Sequence, residues 1–236
     1  MEALDRASDD PRVIGLIARV GVSGLGWGQI QEIRDAVMAF RQSGKPTVAY
    51  VETFGELGPG NRAYYLATSF EKIYLQPSGF VGLTGLIAES PFLKGALDKL
   101  GISPRLDHRQ EYKSAKYLFT ERSFNEPHRE ATEKIVSSLF SQMIRGIAAS
   151  RRLSEADVRA RIDKGPFLGQ ESVEAKLVDG LAYRDEVYAQ MKAETSRHAK
   201  TLSLGAYLKR AGRSHDEGEV IALIYGVGSV MRGKSE

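Results

Sequence analysis

The sequence predicts an α/β fold on three observations. A short apolar strand, a helix and a second strand follow one another between residues 13 and 51. Glycine-rich loops punctuate the strands that come after. From Pro127 onward the apolar residues recur at helical spacing. Residues 13–20 form a nearly continuous apolar run that reads as a buried strand. Gly21, Gly24, Gly26 and Gly28 make a turn, after which Ile30, Ile33, Val37 and Phe40 mark one face of a helix. Ser43, Gly44 and Pro46 stop that helix, and residues 47–51 are β-rich. A strand, helix and strand in so short a span imply a parallel pair joined by a right-handed crossover.

The alternation continues. A loop with Gly55, Gly58, Pro59 and Gly60 leads into a helix over residues 61–68 and a third strand over 72–75. Gly79, Gly82 and Gly85 interrupt the next apolar segment, residues 92–100 read as a helix ended by Gly101, and residues 105–108 as a short strand. Ile135, Val136, Leu139, Phe140, Met143 and Ile147 lie on one helical stripe. Ser154 and Asp157 have capping-box spacing, and Gly165-Pro166 ends the helix they open. Helices follow over residues 172–177 and 184–194.

Composition narrows the chemistry. The 236 residues carry 42% hydrophobic side chains, a net charge of +3 and no cysteine, which excludes disulfides, thiolate metal sites and a cysteine nucleophile. The basic residues are dispersed, so nucleic acid is not an expected partner. His108, His128, His198 and His215 are scattered and read as surface residues rather than metal ligands. No cofactor or metal is expected. No apolar stretch is long enough to span a bilayer, so an anchor is expected outside residues 1–236.

Two segments remain as candidates for chemistry. The loop 55–60 and the helix after it place backbone N–H groups at the carboxyl end of a parallel sheet, where anion and oxyanion sites are built. The residue at the helix start is Asn61, which donates hydrogen bonds but cannot attack a carbonyl. The second segment surrounds Lys113, with Tyr112, Tyr117 and Phe119 nearby. Burial of a lysine disfavours its ammonium form, and the neutral amine can then take a proton from a serine hydroxyl. A solvated surface charge is the competing reading of the same residues.

Tyr112-Lys113-Ser114-Ala115 followed by Phe119 resembles the lysine motif of the signal peptide peptidase A (protease IV) family, within the ClpP/crotonase superfamily. Residues 4–17 resemble the family's entry into its first strand, and residues 61–75 the helix and strand after the nucleophile position. Gly82-Leu83-Thr84-Gly85 resembles its following turn, and residues 167–180 its closing helix with a Leu-Val-Asp signature. The resemblance implies a superhelical repeat of β-β-α units with a helical C-terminal portion. It implies Lys113 as the general base of a Ser–Lys dyad. Asn61 then stands where a second, tandem domain would carry the serine, so this chain alone should be inactive. It further implies apolar peptide substrates such as cleaved signal peptides, a homo-oligomer, and the outer face of the cytoplasmic membrane.

The expected organisation is a lysine-bearing domain over residues 1–194, a linker over 195–219, and the first strand of a second copy over 220–236. The last expectation rests on the likeness of residues 220–228 to 13–21, both Val-Ile-small-Leu-Ile running into glycine. Two alternatives stand beside the peptidase reading. One is a non-catalytic module that builds an assembly and substrate chamber; the other is an acyl-CoA enzyme of crotonase type.

Overall fold

The computed structural model describes residues 1–236 except 22–23, 57, 213–218, 220 and 225–236. Its centre is a parallel sheet of β1 (Leu16–Val20), β2 (Thr47–Val51), β3 (Lys72–Leu75) and β6 (Gly180–Leu181), in that spatial order. All three pairings are parallel, with Leu16 opposite Thr47, Val48 opposite Lys72 and Tyr74 opposite Gly180. A small antiparallel pair, β4 (Phe80–Val81) with β5 (Phe167–Leu168), stands apart from it. The α/β class expected from the sequence is the class observed.

The crossover helices are α2 (Trp27–Arg41) between β1 and β2, and α3 (Asn61–Ala67) between β2 and β3. β2 is buried at every position because both of its faces and both of its edges are covered. On one face the core gathers Ile30 and Val37 of α2 and Tyr64 of α3. It also takes Met143, Ile144 and Ile147 of α6 (Glu126–Arg151), and Val158 of α7 (Glu155–Lys164). On the other face Val48 and Tyr50 meet Val187 and Met191 of α9 (Arg184–Glu194). The Ser154 capping box is present, with the Ser154 Oγ accepting from Asp157 N at 3.0 Å.

Three expectations change at this level. The first strand begins at Leu16 rather than residue 13, because Val13 N–H donates to Asp10 O in a turn that closes α1 (Glu2–Asp9), a helix the apolar run had masked. Residues 105–108 form no strand, since no neighbouring strand lies beside them among the described residues. The span expected as a linker contains α10 (Leu204–Ala211), two turns long, whose Tyr207 packs with Ala7 of α1 and Phe40 of α2. Of the segment 220–228, the described residues 221–224 have no strand pairing, and the remainder lies outside the described residues. No helix among the described residues is long and apolar enough to cross a membrane.

Buried polar groups fix how the helices sit. The Arg34 guanidinium lies 3.8 Å over the Tyr65 ring, donates to Tyr65 O and Thr68 Oγ1, and reaches Ser150 Oγ at 3.3 Å. It joins α2, α3 and α6 at one point, and its burial lowers its pKa from the usual arginine value. At the opposite end, Asp10 accepts from Arg12 Nε and N, both at 2.9 Å, and from Tyr207 Oη at 2.9 Å. These donors hold its carboxyl well below the usual carboxylate range. A depressed folded-state pKa contributes stability that is fully present above about pH 4 and is lost only as pH falls further, toward the folded value. Hydrogen exchange of the α10 amides should therefore accelerate only in strong acid. Asp10→Asn should raise the exchange rate at neutral pH and flatten the acid dependence.

Candidate active site

Two loops at the carboxyl ends of β2 and β3 are zipped together by backbone bonds. Phe54 N–H donates to Phe80 O at 2.8 Å, Gly82 N–H to Phe54 O at 2.7 Å, and Gly60 N–H to Gly82 O at 3.0 Å. The loops approach so closely that a Cβ on Gly60 would lie 2.4 Å from Phe54 O, and one on Gly82 2.6 Å from the same oxygen. The glycines expected to free backbone donors instead serve this approach. The Gly60 N–H is already spent on Gly82 O.

Asn61 opens α3 at 2% exposure, and both its amide oxygen and its amide nitrogen are hydrogen-bonded. Its Nδ2 donates to Gly85 O at 2.6 Å, while its Oδ1 accepts from Thr84 N–H at 3.1 Å and Gly85 N–H at 3.3 Å. The side chain thus pins the turn 84–85, where Gly85 has φ +84°. A serine side chain offers one oxygen and a shorter reach, so it could not make all three bonds. In this domain the helix-start position closes a loop. Replacing Asn61 with Ala strands three backbone groups and is expected to cost about 2–3 kcal/mol, read as a lower denaturant midpoint at unchanged m.

Lys113 lies elsewhere, on an arm spanning residues 86–125 that carries α4 (Lys94–Lys99), a short 3₁₀ turn at Ser114–Lys116, and α5 (Tyr117–Thr120). It immediately precedes the 3₁₀ turn, is exposed, and its ammonium has no hydrogen-bond partner among the described residues. The described residues do not bury it. No hydrogen bond joins Lys113 to Asn61. The side chains around the arm are notably apolar for an exposed surface. Ile87, Leu93, Leu100, Ile102, Tyr112 and Phe119 all stand open, Ile87 at 77% and Leu100 at 71%.

The backbone carrying Lys113 is nonetheless fixed, by residues the sequence did not single out. Tyr117 is buried, donates through Oη to Glu111 O at 3.0 Å, and lies 2.8 Å from His108 Nε2. Its ring centroid is 6.1 Å from that of His128, which also packs on Phe124 at 4.7 Å and Phe92 at 6.0 Å. His128 is 7% exposed, in the first turn of α6, and its Nδ1 is buried without a partner. The reading of His128 as a surface residue is therefore corrected: Phe124, four residues before it, and the more distant Phe92 and Tyr117 enclose it. Tyr112 Oη donates to Glu130 Oε2 at 2.7 Å. The loop that presents Lys113 is thus tied to α6 at both ends.

The Leu-Val-Asp signature also acquires a physical basis. Leu177 and Val178 are core residues, and Asp179 joins three elements. Its carboxylate accepts from Ile73 N–H at 2.8 Å and from Arg151 Nη1 and Nη2 at 2.8 and 3.0 Å, while its own N–H donates to Ile73 O.

The model of the family described as Peptidase family S49 matches residues 39–197, which include Asn61, Lys113 and Asp179. The chain is 29% identical over 187 residues to the chloroplastic serine protease SPPA of Arabidopsis thaliana, covering 79% of this chain and 27% of that protein. It is 27% identical to Protease 4 of Salmonella typhi, covering 99% of this chain and 39% of that protein. It is 22% identical to a putative signal peptide peptidase SppA of Enterococcus faecium, covering 81% of this chain and 54% of that protein. The chain therefore spans between about a quarter and a half of the length of these relatives.

Proposed function

The chain belongs to peptidase family S49, with the mixed α/β, parallel-sheet architecture of the ClpP/crotonase group, and on that premise we propose that it supplies the general base of a serine peptidase. Lys113 is the base. The serine comes from a second domain that covers the arm, in the same chain or a neighbouring one. The substrates are apolar peptides such as cleaved signal peptides, processed at a membrane.

One observation carries this reading: the position that would bear a nucleophile is occupied by an amide committed to a loop, whereas the lysine is presented on a fixed backbone among exposed apolar side chains. A covering domain would bury those side chains and with them the amine. Exclusion of water disfavours the ammonium and leaves a base able to deprotonate a serine hydroxyl. The same apolar surface favours the alternative of a purely structural assembly module. Lys113→Met, in the protein that carries both halves, separates the two. Loss of hydrolysis with assembly intact supports the base; unchanged hydrolysis leaves only the assembly role.

A further inference from the structure

Lys113 occupies a turn of specific geometry. Its backbone, at φ −81° and ψ 75°, is that of an inverse γ-turn, and Ser114 N–H donates across it to Tyr112 O at 3.0 Å. Just before it, Lys113 N–H donates to Gln110 O at 3.3 Å, and Gln110 holds φ +66° without being a glycine. A non-glycine residue in the left-handed region persists only where its surroundings enforce it. Two short-range bonds in an exposed loop are weak enforcement, because water competes for the same groups.

A third bond comes from outside the turn. Tyr117 Oη donates to Glu111 O at 3.0 Å. A phenol has one proton and a carbonyl can only accept, so that proton is spent on Glu111. His108 Nε2, 2.8 Å from the same phenol oxygen, is therefore the donor to it. His108, Glu111 and Tyr117 thus meet at one oxygen and close the loop 108–117 at its neck.

That oxygen is placed by the ring that carries it. Tyr117 is 6% exposed, with its ring centroid 5.3 Å from that of His108 and 6.1 Å from that of His128. The next residue, Leu118, accepts through its carbonyl from Leu93 N–H at 2.7 Å, which ties α5 to the start of α4. The other tie on the loop, Tyr112 Oη to Glu130 Oε2, joins two exposed side chains and has water as its competitor.

We propose that Tyr117 is the positioning residue for Lys113: its hydroxyl, bridging His108 and Glu111, sets the turn from which the amine reaches a serine. The inference rests on Lys113 being the base. Tyr117 is buried and acts through the backbone of residues 110–114. A reacting group misplaced by about 1 Å costs up to about 10²-fold in rate. That loss falls on kcat, because the contacts that bind substrate are unchanged.

Tyr117→Phe removes the hydroxyl and keeps the ring. In the 236-residue chain it should speed hydrogen exchange at the Lys113 and Ser114 amides by at least about tenfold, with the Ile144 and Ile147 amides of α6 unchanged. In the protein that carries both halves of the site it should lower kcat by about 10–10²-fold and leave KM within about twofold. His108→Ala should do the same, whereas His108→Gln, which keeps an N–H donor, should restore most of kcat. A general loosening of the arm would raise KM as well and would be indifferent to the donor, which would count against Tyr117. Unchanged exchange in Tyr117→Phe would overturn the proposal. So would faster exchange with kcat intact in a protein that Lys113→Met inactivates: the base then stands and its positioning by Tyr117 does not. Hydrolysis unaffected by Lys113→Met removes the base, and with it the role given to Tyr117, whatever the exchange shows.

Discussion

Lys113→Met, in the protein that carries both halves of the site, is expected to lower kcat/KM for peptide hydrolysis by about 10²–10⁴-fold, the usual contribution of a positioned general base. Methionine keeps an unbranched apolar stem and removes the amine, so packing against a covering domain survives while proton transfer does not. Substrate affinity should change little if, as proposed, the lysine handles a proton rather than the peptide. Lys116→Met is the matched control. Its ammonium lies 5.7 Å over the Tyr117 ring, and its loss should leave hydrolysis within a few-fold of the parent. Equal losses in both variants would indicate damage to the arm, not to the chemistry.

The largest effect on stability is expected at Asp179. Removing Asp179 leaves the mostly buried Arg151 guanidinium without its carboxylate; because the Asp179 side chain is itself 33% exposed, the cost sits at the low end of that for a buried pair, about 3 kcal/mol. The Arg151 side chain is 9% exposed, and besides Asp179 it has Lys176 O as an acceptor at 3.0 Å. Asp179→Ala also frees Ile73 N–H, where β3 begins to pair toward β6. A lowering of the unfolding midpoint on the order of 10 °C follows for a chain of this size. Asp179→Asn retains an acceptor for Ile73 but not the charge, and should fall between the parent and the alanine variant. The double variant Arg151→Met with Asp179→Ala should be less damaging than the sum of its parts, because no unpaired charge remains.

Several elements were legible from the sequence because their signals are local. Residues 47–51 and 72–75 are short β-rich runs bounded by turn residues, and they form β2 and β3 at those limits. Ser154 and Asp157 cap a helix through contacts three residues apart. Where an element depended on its neighbours, the pattern misled. Residues 105–108 have strand-like composition but no strand to pair with, and α1 was overlooked because the apolar run after it drew the boundary too early.

The candidate site divides in the same way. Lys113 and Asn61 were recognisable as residue types in a familiar order. What each of them does in the folded chain was not. Asn61 closes a turn formed by Thr84 and Gly85, more than twenty residues away. Lys113 stands exposed on a loop fixed by Tyr117, His108 and His128, and the packing of His128 against Phe92, thirty-six residues away, has no periodic signature.

The sequence by itself determined the alternation of strands and helices, the punctuating glycines, and an asparagine rather than a nucleophile at the start of the helix after β2. Only the tertiary structure decided which backbone donors were already used, which histidine was enclosed, and that β1 would lie at an open edge. The reason is physical. Periodicity records which face of an element is apolar, whereas hydrogen-bond satisfaction and exposure depend on groups that meet only when distant parts of the chain are brought together.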